Sequence, residues 1–133
     1  FEDHWGHLPE GYDAFTYRIR AGWVNPDYSY VIWDGAEVAG AVLNDMGPAA
    51  VHHLGRNQGW IGLLYVRRPW RQRGLARALL THSLQQARAL GHALAGLRVD
   101  AENLTGAVRL YETLGFTVQK TSVIYHRAYP AAA

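Results

Sequence analysis

The 133-residue sequence contains no cysteine, which excludes disulfide bridges, cysteine-ligated zinc and a cysteine nucleophile. It also lacks any apolar run near the roughly 20 residues that a helix needs to cross a bilayer, so no membrane partner is expected. Hydrophobic residues make up 49% and charged residues 18%, which indicates a folded globular chain rather than a disordered one. We therefore predict one domain over residues 1–133, with a frayed tail at 130–133, in a reducing, cytoplasmic setting.

The sequence has little net charge, but its positive charges are concentrated in one short segment. The net charge is +2, which is too weak by itself to indicate a nucleic-acid partner. Such a partner would also require aromatic platforms among the basic residues, and only Trp70 stands there. Trp70 and the other tryptophans are interpreted mostly as packing residues. An isolated basic run is more often a solvated surface, so further features must decide whether it binds an anion. The five clustered arginines are Arg67, Arg68, Arg71, Arg73 and Arg77.

Hydrophobic periodicity and turn residues predict alternating strands and helices. In chain order the predicted elements are a helix over Pro9–Trp23, strands over Tyr28–Trp33 and Glu37–Leu43, a loop over Asn44–Asn57, a strand over Trp60–Val66, a helix over Gly74–Leu90, a strand over Leu94–Val99, a helix over Thr105–Leu114 and one or two strands over Phe116–Tyr129. The dipeptide Asp34-Gly35 indicates a hairpin, whereas the later strand–helix–strand unit requires a parallel pair. The predicted class is α/β (α+β), a mixed central β-sheet flanked by helices.

A basic turn joins the buried strand that ends at Val66 to the long helix that follows. The start of a helix offers free backbone N–H groups and the positive end of the helix dipole, and both favour a phosphate. Gly74 allows a diphosphate to approach the backbone closely, and Ala76 keeps the next position small. A P-loop would need Gly-Lys-Ser/Thr, and a dinucleotide fingerprint would need three glycines; both are absent. The remaining pattern is Arg-x-x-Gly-x-Ala.

Two blocks of the sequence resemble the GNAT superfamily of acyl-CoA N-acyltransferases. Arg71, Gly74 and Ala76 match its Gln/Arg-x-x-Gly-x-Gly/Ala signature, which follows a strand like Leu64–Val66. The second block is Asn103 followed by Leu-Tyr-Glu-Thr-Leu-Gly-Phe at 110–116. The resemblance spans about residues 28–128 and implies a GNAT-type fold with acetyl-CoA as the cosubstrate. The first six residues and the stretch 99–103 look like the C-terminal half of tandem-GNAT, mycothiol-synthase-like proteins, which implies that the first strand and helix are missing.

The resemblance also implies roles for individual residues. Tyr111 would protonate the departing thiolate, although a tyrosine on an apolar helix face is often only a core residue. Asn103 would orient the pantetheine arm, and it is equally suited to cap the following helix. The residues implied to contact acetyl-CoA are Leu64, Tyr65, Val66, Arg71, Gln72, Arg73, Gly74, Leu75, Ala76 and Asn103.

The implied reaction is direct attack of a primary amine, from a small molecule or a peptide, on the thioester carbonyl. Many relatives carry an acid on the strand before the basic turn, but Gly59–Leu64 contains no carboxylate. Glu37, Asp45, His52 and His53 remain open as general bases, as does a water chain. No metal site is expected, because the adjacent histidines of a strand point to opposite faces. The alternative function is a non-catalytic acyl-CoA-binding or scaffolding half, and a homodimer or a tandem partner domain is compatible with either.

Overall fold

The computed structural model describes residues 17, 20, 24–47, 57–99 and 106–131. Its four strands are β1 (Tyr30–Asp34), β2 (Glu37–Asp45), β3 (Gln58–Val66) and β4 (Leu94–Leu97); its helices are α1 (Leu75–Ala89) and α2 (Ala107–Thr113), with 3-10 turns at Pro26–Tyr28 and Arg68–Trp70. The strands lie in the order β1-β2-β3-β4. The first two pairings are antiparallel and β3 pairs with β4 in parallel, so the predicted mixed sheet is confirmed.

The hairpin between β1 and β2 forms where the Asp34-Gly35 dipeptide predicts it. Gly35 has φ of 58°, and a two-residue hairpin turn requires a positive φ at its first position. The pairing then runs from Asp34 opposite Glu37 to Tyr30 opposite Val42. The hairpin therefore places Asp34 at its tip, on the same end of the sheet as the last residues of β3.

Helix α1 packs on the sheet and provides two of the four residues of one buried hydrophobic cluster. Leu79 and Leu80 from the helix meet Val42 of β2 and Ile61 of β3 in one buried cluster. Burying each leucine side chain contributes roughly 1.5–3 kcal/mol, so this contact holds the start of the helix against the sheet. Gly91, with φ of 84°, follows the helix end as predicted. Among the described residues, no helix combines the length and apolar character that a bilayer crossing requires.

The predicted loop over Asn44–Asn57 is wrong at its beginning, because β2 continues to Asp45. Asn44 and Asp45 are both fully buried despite their polar side chains. The Nδ2 of Asn44 donates hydrogen bonds to the backbone oxygen of Tyr28 and to the Oγ of Ser83, each at 2.9 Å. These long-range partners satisfy the amide N–H groups inside the core, which local sequence cannot reveal.

The predicted strands over Phe116–Tyr129 are also wrong, since the described chain from Phe116 to Ala131 has no strand. A β-branched run forms a strand only beside a partner, and the described sheet ends at β4. Large apolar side chains of the segment after Phe116 are accordingly exposed, namely those of Val118, Val123, Ile124, Tyr125 and Tyr129. The helix before it is confirmed, with Gly106 at its N-cap and Gly115 after its end. The predicted helix over Pro9–Trp23 lies almost entirely outside the described residues; Tyr17 and Arg20 are helical.

Candidate functional site

Strand β3 loses one of its two neighbours part of the way along its length. Its first part, Gln58–Ile61, pairs with Leu94–Leu97 of β4, whereas its pairing with β2 continues to Val66. Over Gly62–Val66, no strand in the described part of the chain lies on the β4 side. The two parallel strands therefore leave a gap beside the last residues of β3, where extended backbone faces no partner strand.

The ladder between β2 and β3 determines which backbone groups point into this gap. The N–H of Arg67 donates to the oxygen of Ala39 at 2.9 Å, which makes these two residues a hydrogen-bonded pair. Hydrogen-bonded and non-hydrogen-bonded pairs alternate along an antiparallel ladder. Val66 and Leu64 are therefore in non-hydrogen-bonded positions opposite β2, and their N–H and C=O groups point to the β4 side. The gap thus presents backbone donors and acceptors to an extended ligand.

The basic loop, defined as Arg67–Gly74, connects this strand end to helix α1. Gln72 has φ of 63°, an unusual conformation for a residue other than glycine, and Gly74 has φ of 80° at the helix N-cap. No side chain caps the helix, and the first intrahelical bond is that from Ala78 N–H to the oxygen of Gly74. The N–H groups of Leu75 and Ala76 therefore point out of the helix start without an acceptor among the described residues.

Two arginines of the basic loop donate hydrogen bonds to backbone oxygens of the sheet and so stabilise the conformation of the loop. The Nε of Arg71 donates to the backbone oxygen of Val66 at 2.8 Å. The Nη1 of Arg67 donates to the backbone oxygen of Val38 at 3.1 Å, and its guanidinium lies 5.1 Å from the ring centroid of Trp70. By contrast, the exposed Arg73 makes no hydrogen bond or ion pair within the described ranges and is available to an anion.

Sequence reasoning missed the contact between the basic loop and the tip of the β1–β2 hairpin. The indole Nε1 of Trp70 donates to the Oδ2 of Asp34 at 2.7 Å, across 36 positions of sequence. The sequence predicts a packing role for Trp70 and a place in the hairpin turn for Asp34. The separation in sequence means that no local pattern indicates this contact. The only available signal is that the hairpin tip and the end of β3 share one end of the sheet.

Tyr111 lies on α2 and packs against the same core cluster as Leu64 of β3. Its ring contacts Phe116 edge to face, with 5.9 Å between the ring centroids. Burial raises the pKa of the Tyr111 phenol above its usual value of 10.0, so the group stays protonated at neutral pH. Its hydroxyl has no hydrogen-bond partner within the part of the chain that the structure describes, which leaves it available as a proton donor.

The remaining candidates for the site are separated from it or lie outside the described residues. Asn103, His52 and His53 are all outside the described residues. Asp45 is buried at the end of β2 opposite Trp60, several residues away from Leu64 along β3. Glu37 is exposed at the hairpin tip. Among the described candidates, therefore, no carboxylate lies on β3 beside the gap.

The arrangement fits a long anionic ligand with an extended arm. Outward backbone N–H groups and the positive end of the α1 dipole favour a diphosphate at the basic loop. A Cβ built on Gly74 meets no atom within 4 Å, so the loop is open on that side. The gap beside Leu64–Val66 begins directly before the loop, and the backbone groups that point into it can form strand-like hydrogen bonds with an extended, amide-containing arm.

Comparison with known proteins identifies the family. The model of the acetyltransferase (GNAT) family matches residues 1–116. Mycothiol acetyltransferase of Corynebacterium glutamicum (strain R) is 32% identical over 126 residues, which cover 90% of this chain and 39% of that protein. N-alpha-acetyltransferase MAK3 of Arabidopsis thaliana is 30% identical over 119 residues, which cover 90% of this chain and 58% of that protein. The chain thus spans less than two thirds of the length of both relatives.

The fold is shared with solved acetyltransferases as well. The NatC complex bound to Gag peptide and CoA contains a chain with 28% identity and a TM-score of 0.67, aligned over 85% of this chain and 71% of that one. The prediction of a GNAT-type fold is confirmed, and so is the family resemblance drawn from the two sequence blocks. Acetyl-CoA is the acyl donor of that family, as the resemblance implied. With the family model matching most of its length, the chain belongs to the acetyltransferase (GNAT) family.

Proposed function

We propose that this chain transfers an acetyl group from acetyl-CoA to a primary amine by direct attack. The observation that carries the proposal is the continuity of the gap beside β3 with the basic loop and the start of α1. In acetyl-CoA the extended pantetheine arm is joined directly to the diphosphate, so a binding protein must hold the two at adjacent places. The gap beside β3 offers a place for the arm, and the adjoining basic loop offers one for the diphosphate. The bound cosubstrate supplies the activated thioester; the residues of the chain bind it, orient it and supply a proton.

The basic loop and the helix start are the proposed pyrophosphate site. The backbone N–H groups of Gln72–Ala76 would donate to phosphate oxygens, aided by the dipole of α1. The side chain of Arg73 is exposed and unpaired in the described structure, and it would add a charge-assisted contact. Arg71 contributes differently, because its Nε already bonds the oxygen of Val66 and ties the loop to the strand.

The last three residues of β3 are the proposed site for the pantetheine arm and the acyl carbonyl. Leu64 and Val66 direct their N–H groups to the β4 side, where the arm would lie as a partial strand. A fixed N–H beside the reacting carbonyl stabilises negative charge on its oxygen as the amine attacks. Tyr65 belongs to the same backbone segment, and Asn103 is also proposed to orient the arm.

Tyr111 is the proposed general acid. A proton donor to the leaving thiolate must remain protonated at working pH, and burial raises the pKa of this phenol above 10.0. Its packing against the cluster that also contacts Leu64 holds the ring near the strand that would carry the thioester. No general base is assigned, and deprotonation of the amine through water is consistent with the lack of a carboxylate along β3.

The acceptor class is proposed from the relatives. Two are called an N-alpha-acetyltransferase and a mycothiol acetyltransferase, and the solved NatC complex holds a Gag peptide together with CoA. Amines of peptides and small molecules are therefore the first acceptors to test. The N-terminal α-amine of a short peptide is the most direct choice, because an N-alpha-acetyltransferase and the peptide-bound complex both indicate it.

Isothermal titration with acetyl-CoA, CoA and ATP tests the proposed cosubstrate. Saturable binding of acetyl-CoA and CoA, without comparable binding of ATP, is expected because the gap would engage the pantetheine arm. Release of free CoA thiol is then measured with a panel of peptides and small amines. Absence of acetyl-CoA binding, or equal binding of ATP, would contradict the proposal.

A second candidate is a non-catalytic acyl-CoA-binding half of a larger protein. Two observations favour it: Gly59–Leu64 carries no carboxylate, and the chain covers only 39% of the mycothiol acetyltransferase relative. The same titration separates the two candidates when it is followed by the thiol assay. Tight binding of acetyl-CoA with no turnover on any amine would favour the binding module.

A further inference from the structure

The tip of the β1–β2 hairpin is attached to the basic loop through side chains. Trp70 donates its indole N–H to the carboxylate of Asp34 at 2.7 Å. The guanidinium of Arg67 lies over the ring of the same indole, 5.1 Å from its centroid, and bonds the oxygen of Val38 at 3.1 Å. Of the two residues that contact Trp70, Asp34 belongs to the hairpin and Arg67 donates a hydrogen bond to it, so both connect Trp70 to the hairpin.

The attachment lies immediately before the strained part of the loop. Gln72, only two residues after Trp70, has φ of 63°. A non-glycine residue persists in this region only where the surrounding structure fixes it. Helix α1 fixes the chain after Gly74, and the contacts of Trp70 fix it before Gln72. On the N-terminal side, the contacts of Trp70 act together with the bond of Arg71 to β3 and with the backbone bonds of the 3-10 turn, from Trp70 N–H to the oxygen of Arg67 and from Arg71 N–H to the oxygen of Arg68, to oppose relaxation of Gln72 toward an ordinary conformation.

We propose that Asp34 is a positioning residue for CoA binding, which acts through Trp70 to hold the basic loop in the conformation that directs its N–H groups outward. The inference rests on the proposed function, because it assumes that the basic loop receives the pyrophosphate. The role of Asp34 is that of an acceptor, since the indole N–H requires an oxygen and not a charge. A neutral acceptor of the same shape therefore serves as well.

Asp34 has two opposing effects on CoA binding, one through its negative charge and one through its bond to Trp70, and substitutions distinguish them. A carboxylate at the edge of an anion site opposes phosphate binding through its charge and supports it through the anchored indole. Asp34→Asn keeps an acceptor oxygen and removes the charge, whereas Asp34→Ala removes both. If anchoring dominates, only the alanine variant loses CoA affinity; if charge dominates, both variants gain affinity.

Binding titrations of the whole chain with two ligands test the proposal. The ligands are CoA and pantetheine, which carries the arm without the pyrophosphate. We expect Asp34→Ala and Trp70→Phe each to weaken CoA binding about threefold to tenfold, as the loss of one hydrogen bond of ordinary strength implies. The double variant should be no weaker than either single variant, because both remove the same contact. Asp34→Asn should retain wild-type affinity, and pantetheine binding should not change in any variant.

The matched control is Asp27→Ala, which removes another exposed aspartate, in the 3-10 turn before β1 and thus at the other end of that strand from Asp34. Unchanged CoA affinity in Asp34→Ala, or equal weakening of CoA and pantetheine, would overturn the positioning role. A loss of CoA affinity in Asp34→Asn as large as in Asp34→Ala would do so too. Failure of the proposed function is distinguishable, because the wild-type chain itself would then not bind CoA.

Discussion

The guanidinium of Arg71 donates its Nε–H to the backbone oxygen of Val66 at 2.8 Å, so the arginine of the family signature ties the basic loop back to strand β3. The oxygen that it binds lies at the edge of the gap beside β4. The side chain therefore lies between the site proposed for the pantetheine arm and the site proposed for the pyrophosphate. The proposed role of Arg71 in binding CoA accordingly rests on geometry as well as on charge.

Replacement of Arg71 by lysine tests this geometric role. Lysine keeps the positive charge but has no planar guanidinium with an Nε–H at this place. We expect Arg71→Lys to weaken CoA binding about tenfold in isothermal titration, nearly as much as Arg71→Ala. The control Arg88→Lys, at the opposite end of α1, should bind CoA like the wild type. Full affinity in Arg71→Lys would show that charge alone accounts for this residue.

Gly74 and Gly91 provide a matched pair at the two ends of helix α1. Both have positive φ, 80° and 84°, and a Cβ on either meets no atom within 4 Å. Replacing either by alanine should lower the free energy of unfolding by about 1 kcal/mol in urea titrations, because the conformation disfavours a side chain. Only Gly74→Ala should also weaken CoA binding, since its Cβ would project at the proposed pyrophosphate site. Equal CoA affinity in the two variants would remove Gly74 from that site.

Replacement of Tyr111 by phenylalanine separates proton donation from packing. The ring contact with Phe116 is preserved, so the affinity for CoA should not change. Turnover should fall by ~10²-fold if the phenol protonates the leaving thiolate. Tyr125→Phe, an exposed tyrosine change outside the site, serves as the control. Wild-type turnover in Tyr111→Phe would exclude the phenol as the general acid.

Alkaline unfolding provides an independent test of the burial of Tyr111. Burial raises the pKa of its phenol in the folded chain above 10.0, whereas the unfolded chain ionises near that value. Above about pH 10 the unfolded state therefore binds fewer protons, and stability falls as pH rises toward the folded-state pKa. Urea midpoints at pH 9 and pH 11 should differ less for Tyr111→Phe than for the wild type. A parallel decrease in both proteins would contradict the burial of this hydroxyl.

Much of the site was predictable because its elements are local in sequence. The turn at Asp34-Gly35, the strand before Arg67 and the helix after Gly74 all follow from periodicity and turn residues within short windows. The basic loop is recognisable for the same reason, because several arginines, a glycine and a small residue stand close together in the sequence where a predicted strand leads into a predicted helix. Its interpretation as a phosphate site required no distant contact.

The features that sequence reasoning missed all depend on distant partners. Asn44 looks like a loop residue until Tyr28 and Ser83 satisfy its amide inside the core. Trp70 looks like a packing residue until Asp34 accepts its indole N–H. The β-branched run after Phe116 looks like a strand, but the described sheet offers it no ladder. In each case the fold, and not the local pattern, decides the outcome.

The short gap at the end of β3 has a consequence for unwanted association. An open strand edge normally acts as a template for the strands of other chains, which leads to aggregation. Here β4 covers the edge up to Ile61, and Arg71 occupies the oxygen of Val66 at the other end. The stretch that remains, Gly62–Tyr65, is shorter than the roughly five or six residues of a typical strand, so a foreign strand could form only a few ladder bonds there. A thin ligand arm needs only a few such bonds, so the shortness of this edge favours a small ligand over a polypeptide strand.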